Sequence, residues 1–175
     1  MELTGKRIAV TGAFGALGAA MVQAATAAGA RVAAIDRAPV PAGFAAATAI
    51  GNVDLADTAA ARTAIDGAAK ALGGLDGLVN IAGTFRWETI ADGSVDTWDL
   101  LYRVNLRTAV AASKAAIPHL TTSGAGRIVN ISAAGSIKAG AGMGAYAASK
   151  SGVARLTEAL AEELKDRGVT VNAIL

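Results

Sequence analysis

Thr11-Gly12-Ala13-Phe14-Gly15-Ala16-Leu17-Gly18 is the stretch on which the reading of this sequence turns. It follows a short apolar run at 7–10 that reads as a buried strand, and it opens a helical pattern at 16–28 ended by Gly29. A strand that enters a helix through a glycine-rich turn lets backbone N–H groups approach a pyrophosphate, and the helix N-terminus adds positive potential there. In a chain with 21 glycines such a turn is weak evidence alone. Asp36 sharpens it. It ends the next strand, 31–35, at the ~20-residue distance expected of an acidic group that binds adenosine ribose hydroxyls, and its charge would repel a 2′-phosphate. The competing reading of Asp36 is a solvated turn residue beside Arg37. Gly12, Phe14, Gly15, Leu17, Gly18, Asp36 and Arg37 are thus the candidate dinucleotide-binding residues of this half.

Outward from this stretch, strand and helix patterns alternate. A loop at 38–43 precedes a short strand at 47–51, a helix at 57–72 broken by Gly73 and Gly74, and a strand at 75–81. A long helical pattern at 95–120, a β-branched strand at 127–131, a helix at 144–167 and a strand at 169–175 complete the chain. Such alternation implies right-handed crossovers and a parallel sheet covered on both faces. The expected fold is α/β, a doubly wound, Rossmann-type parallel sheet in a single domain spanning 1–175, cut short after its sixth strand.

Composition narrows the function. A chain of 175 residues, 53% hydrophobic and 17% charged, can bury one core, and a net charge of +2 with no basic stripe argues against nucleic-acid binding. Residues 1–6 lack the basic start of an export signal, and no apolar run approaches the ~20 residues of a membrane span. Zero cysteines exclude disulfides and thiol chemistry, and fit a reducing compartment such as the cytoplasm. His119, the only histidine, lacks metal-binding partners in the pattern and reads as a helix-end residue, so no metal site is expected. Trp87 and Trp98 read as packing groups, with bordering a substrate as the alternative. The charged residues of 158–167 read as a solvated helix face.

Tyr146 and Lys150, four apart near a helix start, share one face at the sheet's C-terminal edge. A phenol with a reference pKa of ~10 is a poor acid–base at neutral pH, and a neighbouring ammonium favours its phenolate. Tyr146 could then pass a proton to a carbonyl oxygen. Taken alone, Tyr and Lys at this spacing are usually just a helix-surface pair.

With these residues in place, the whole chain resembles the short-chain dehydrogenase/reductase family, most closely its classical branch. The turn from Thr11 to Gly18, Asp54-Leu55, Asn80-Ile81-Ala82-Gly83, Val104-Asn105-Leu106, Tyr146-Ala147-Ala148-Ser149-Lys150 and Val171-Asn172-Ala173 agree with it in order. The resemblance implies an oxidoreductase that moves a hydride between NAD(P) and a small carbonyl or secondary-alcohol substrate. Tyr146 would be the general acid–base, Lys150 would hold the nicotinamide ribose and lower the tyrosine pKa, and Asn105 would support a proton-relay water. Asp54 and Leu55 would flank adenine, Asn80, Ala82 and Gly83 would line the cofactor, and Asp36 would favour NAD over NADP. A homodimer or homotetramer, built partly through the helices that carry Asn105 and Tyr146, is also implied.

Three departures bear on that expectation. Ala16 stands where the classical turn has its middle glycine, and the spacing of Gly12, Gly15 and Gly18 also resembles the family's extended branch. The family's catalytic serine falls on Ala133, counted from either Asn130 or Tyr146; Ser132, one place off, is the substitute candidate and Ser136 a second. Neighbouring strand residues point to opposite faces, so Ser132 faces the catalytic side only if the strand end bulges. Finally, the sequence stops before the family's substrate loop and last strand, so a fragment and a catalytically poor dinucleotide-binding module stay open as alternatives.

Overall fold

Short apolar runs pair side by side to make the sheet. In the computed structural model, which describes residues 3–175, they are β1 (Arg7–Thr11), β2 (Arg31–Ile35), β3 (Thr48–Ile50), β4 (Gly77–Asn80), β5 (Gly126–Ile131) and β6 (Val169–Ile174). All pairs are parallel, in the order β3-β2-β1-β4-β5-β6. Met1 and Glu2, part of the stretch read for an export signal, lie outside the described residues.

Helices α1 (Ala16–Ala27), α2 (Thr58–Leu72), α4 (Thr108–Thr122) and α5 (Gly144–Leu164) return the chain between strands. Alternate residues of each strand face opposite layers. Ile8, Val10, Val32 and Ala34 pack under Val22 and Ala25 of α1, whereas Ala9, Ile35, Leu78 and Ile128 pack under Ile65, Leu72, Ala112, Ala116 and Leu160 of α2, α4 and α5. Small alanines on both sides let the helices sit close to the sheet. No helix among the described residues is long and apolar enough to cross a membrane.

The structure redraws some boundaries. The helical pattern at 95–120 is α3 (Val95–Leu101), a π-helical stretch (Tyr102–Arg107) and α4. Apolar spacing over a single turn cannot separate i→i+4 from i→i+5 pairing, so the change of ladder leaves no mark in the pattern. Asp57 lies just outside α2 and caps it, accepting the Ala60 N–H at 2.8 Å. At the other end of the pattern 144–167, Lys165–Arg167 is a 3₁₀ turn rather than α-helix.

At the N-terminal edge of the sheet, Asp76 clips β1 to the turn entering β4. Its carboxylate takes the Arg7 backbone N–H at 2.9 Å, Nε at 2.8 Å and Nη2 at 2.7 Å. The hydrogen bond from the Arg7 side chain holds the Asp76 carboxyl below the usual carboxylate range. A carboxyl depressed in the folded state stabilises above its unfolded pKa, near ~3.9, and loses that contribution as pH falls through the lower folded value. Asp76→Asn should therefore lower unfolding stability at pH 7 by about 1.5–3 kcal/mol, with a smaller difference near pH 3 in urea titrations. Equal stability of the two proteins at pH 7 would refute this role.

Candidate functional site

Where strand order reverses, between β1 and β4, the C-terminal ends of the strands leave a crevice. The cleft holds about 610 Å³ and is lined from one end by Gly12, Phe14, Gly15, Leu17, Gly18, Asp36, Arg37, Asp54 and Leu55, and further along by Ala82 and Gly83. The structure thus brings all these predicted residues to one cavity. Asn80, Tyr146 and Lys150 are not among its lining residues.

Gly12 has φ +65°, and a Cβ there would overlap the backbone of Ala82, so the turn can lie against the end of β4 only as glycine. Beyond it α1 starts at Gly15 with no side-chain cap, leaving its amino end for whatever enters the cleft. A Cβ on Gly15 would meet only the Gly12 carbonyl oxygen, at 3.6 Å. This glycine is therefore open to the cleft rather than demanded by protein packing. An uncapped helix start, a bare glycine cradle and a carboxylate at the next strand end form a donor and acceptor set that fits a dinucleotide. Asp36 accepts the Phe14 N–H and the Ala38 N–H, each at 2.9 Å, which ties the turn to β2.

Several lining residues escaped the sequence reading. Val53, Thr84, Arg86, Leu100, Val104 and Thr108 complete the walls. Arg103, from the π-helical stretch, reaches Asp54 Oδ2 at 2.6 Å while Ala56 N–H donates to Asp54 Oδ1 at 3.0 Å, and Arg107 Nε donates to the Ala56 carbonyl at 2.7 Å. These bonds, the Arg103 side chain first, hold the Asp54 carboxyl below its ordinary value. Arg103 lies 49 residues from Asp54 along the chain and Arg107 lies 51 from Ala56, beyond any local pattern.

Behind the cleft runs a buried polar ladder across register-matched strand ends, Thr11 beside Asn80 and Asn80 beside Asn130. Asn80 Nδ2 donates to Asn130 Oδ1 at 2.8 Å and to Ser113 Oγ at 3.1 Å, and Asn130 Nδ2 donates to Thr157 Oγ1 at 2.9 Å. Thr11 Oγ1 accepts the N–H groups of Ile81 and Ala82. Asn80 therefore faces the helix layer and fixes the chain that carries Ala82 and Gly83.

Asn105, on the π-helical stretch, is buried, with Oδ1 accepting Thr84 N–H at 2.6 Å and Nδ2 donating to the Thr84 carbonyl at 3.0 Å and Ser149 Oγ at 2.9 Å. Lys150 is buried on α5, Nζ donates to the Ile131 carbonyl at 2.7 Å, and burial lowers its pKa. A Cβ on Gly83 would stand 3.1 Å from Asn105 Oδ1 and 3.5 Å from Lys150 Nζ. Gly83 is therefore the point where cleft, lysine and asparagine meet. Tyr146, one turn before Lys150, lies edge-on to Phe85 with ring centroids 4.9 Å apart.

Ser132 is not brought to this point. It is buried, its Oγ donates to the Lys150 carbonyl at 2.8 Å, and its N–H pairs with Ile174, so it faces α5 as strand alternation requires. Ser136 Oγ is spent on the Ala133 carbonyl at 2.7 Å. His119 joins α4 to α2 through Asp66, Nε2 to Oδ1 at 2.7 Å.

The family model for short chain dehydrogenases matches residues 6–175. The inactive 2-(S)-hydroxypropyl-CoM dehydrogenase 2 of Xanthobacter autotrophicus is 38% identical over 160 residues, covering 88% of this chain and 69% of its own. D-threitol dehydrogenase of Mycolicibacterium smegmatis is 36% identical, covering 99% of this chain and 70% of its own. A short chain dehydrogenase from Burkholderia cenocepacia, solved in complex with NADP, superposes with a TM-score of 0.87 at 40% identity, over 99% of this chain and 74% of that one.

Proposed function

Because this chain belongs to the short-chain dehydrogenase family, we propose that it is an NAD(P)-dependent oxidoreductase interconverting a carbonyl and a secondary alcohol, with Tyr146 as its general acid–base. The observation that carries this reading is the convergence at Gly83, which lines the dinucleotide cleft and abuts Lys150 and Asn105. When bound, the dinucleotide supplies a hydride donor or acceptor at its nicotinamide ring. The amino end of α1 and the turn Gly12 to Gly18 would hold the pyrophosphate, Asp36 the adenosine ribose, and Asp54 and Leu55 the adenine flank.

Tyr146 holds the proton at its hydroxyl and gives it to the substrate oxygen during reduction. The Lys150 ammonium, on the next turn and anchored on the Ile131 carbonyl, would hold the nicotinamide ribose. Asn105 has its amide committed to Thr84 and Ser149. A relay water would therefore attach to its backbone carbonyl, in the stretch where the helical ladder shifts. Exposed Tyr102 on the π-helical stretch and Val110 on α4 support pairing of two copies through that face, and the absence of cysteine fits a cytoplasmic setting.

The Asp36 charge, at the cleft wall, favours NAD(H) over NADP(H). Calorimetric titration should give tighter NAD(H) binding, and Asp36→Ala should narrow the ratio even though it weakens both by freeing the Phe14 N–H. Equal or tighter NADP(H) binding by the parent chain would overturn the preference.

A second reading, a dinucleotide binder of poor turnover, is favoured by Ala133 and by the engagement of both nearby serines. One relative at 38% identity is itself named inactive. Both readings share the cofactor and differ in rate, so turnover rather than binding separates them.

A further inference from the structure

Residues 83–89 run without helix or strand past the mouth of the cleft. Thr84 and Arg86 line the cofactor cleft, while Phe85 lies edge-on to Tyr146 and Trp87 reaches the loop before α5. Alternation along an extended segment thus sends its polar side chains to one side and its aromatic side chains to the other. Phe85 is 49% and Trp87 60% exposed, and Phe85 sets its ring beside the Tyr146 phenol.

Two hydrogen bonds fix the wall they make. Trp87 Nε1 donates to the Ala141 carbonyl and Glu88 N–H to the Gly142 carbonyl, both at 3.0 Å. The indole covers Gly142, whose φ of +72° and missing Cβ make room for it. Met143 continues the wall: a Cβ on Gly135 would touch Met143 Cε at 3.5 Å and the Tyr146 ring at 3.9 Å. Of the polar atoms here, the Trp87 indole N–H and the Glu88 N–H are taken as above, Glu88 Oε2 accepts Ser94 N–H at 3.1 Å, and Ser136 Oγ donates to the Ala133 carbonyl.

We infer that the substrate of the site is a ketone or secondary alcohol carrying an aromatic or bulky apolar group next to the reacting carbon, seated on Phe85, Trp87 and Met143, and not a polyol or sugar. The inference rests on the oxidoreductase reading and narrows it. A polyol would surrender its water to a wall made of two rings and a thioether, whereas an aryl group gains contact with them.

The test is calorimetric binding of acetophenone and of L-erythrulose to the chain saturated with NADH, in the Tyr146→Phe background so that no turnover adds to the heat. Acetophenone should bind at least ~10-fold more tightly. Phe85→Ala and Trp87→Ala should each bring the ratio below ~3-fold with NADH affinity unchanged, Trp87→Phe should retain most of it, and Ile90→Ala, exposed away from the wall, should leave it intact. Equal or tighter erythrulose binding, or a preference that survives both alanine variants, would overturn the substrate class alone. Failure to bind NADH would instead overturn the oxidoreductase reading on which it rests.

Discussion

Tyr146→Phe should lower carbonyl reduction by about 10²–10⁴-fold while leaving NADH affinity within about twofold of the parent. The substitution removes one oxygen from a ring whose packing against Phe85 persists, and Tyr146 is not among the residues lining the cofactor cleft. The loss should therefore fall on kcat rather than on binding. Lys150→Ala supplies the contrast. That ammonium abuts Gly83 and is anchored on the Ile131 carbonyl, so its removal should damage both turnover and cofactor affinity. Stopped-flow absorbance at the NADH band and calorimetry measure the two quantities separately. Full activity in Tyr146→Phe would eliminate the proton-transfer role.

Ala133→Ser should accelerate the reaction by up to about 10²–10³-fold, the usual worth of one preorganised donor to a developing oxyanion. Ser132 Oγ is bound to the Lys150 carbonyl, and Ala133, extended at φ −169° and ψ 157°, points to the opposite side of the chain. A hydroxyl on Ala133 would reach the face that a methyl group now presents. Ser132→Ala, by contrast, should leave turnover within a fewfold and cost stability through the lost bond to the Lys150 carbonyl. The opposite pattern, no gain from Ala133→Ser and a large loss from Ser132→Ala, would assign the donor role to Ser132.

The parallel sheet was legible because each strand is a short apolar run bounded by turn residues, and because glycine turn and Asp36 mark the first crossover. The period of two also foretold which way Ser132 faces. What stayed hidden was set by tertiary pairing. The bond from Arg103 to Asp54 joins residues in different crossovers, and the commitment of the Asn105 amide to Thr84 and Ser149 depends on a π-helical stretch that apolar spacing cannot reveal. Lys150, by type a surface residue, is buried because Ile131 offers its ammonium a carbonyl at the strand end.

Hydride transfer to the carbonyl, with the proton drawn from Tyr146, would leave its record in the product. Mass spectrometry of the alcohol formed from acetophenone with NADH carrying deuterium at both C4 positions of the nicotinamide reads that record, with the parent chain, Ala133→Ser and Ala133→Ser/Tyr146→Phe side by side. The alcohol should carry a single deuterium at the carbinol carbon, formed slowly by the parent, faster by Ala133→Ser, and only at a trace rate once Tyr146 is replaced. Bound NADH with no deuterated alcohol from either the parent or Ala133→Ser would contradict that transfer.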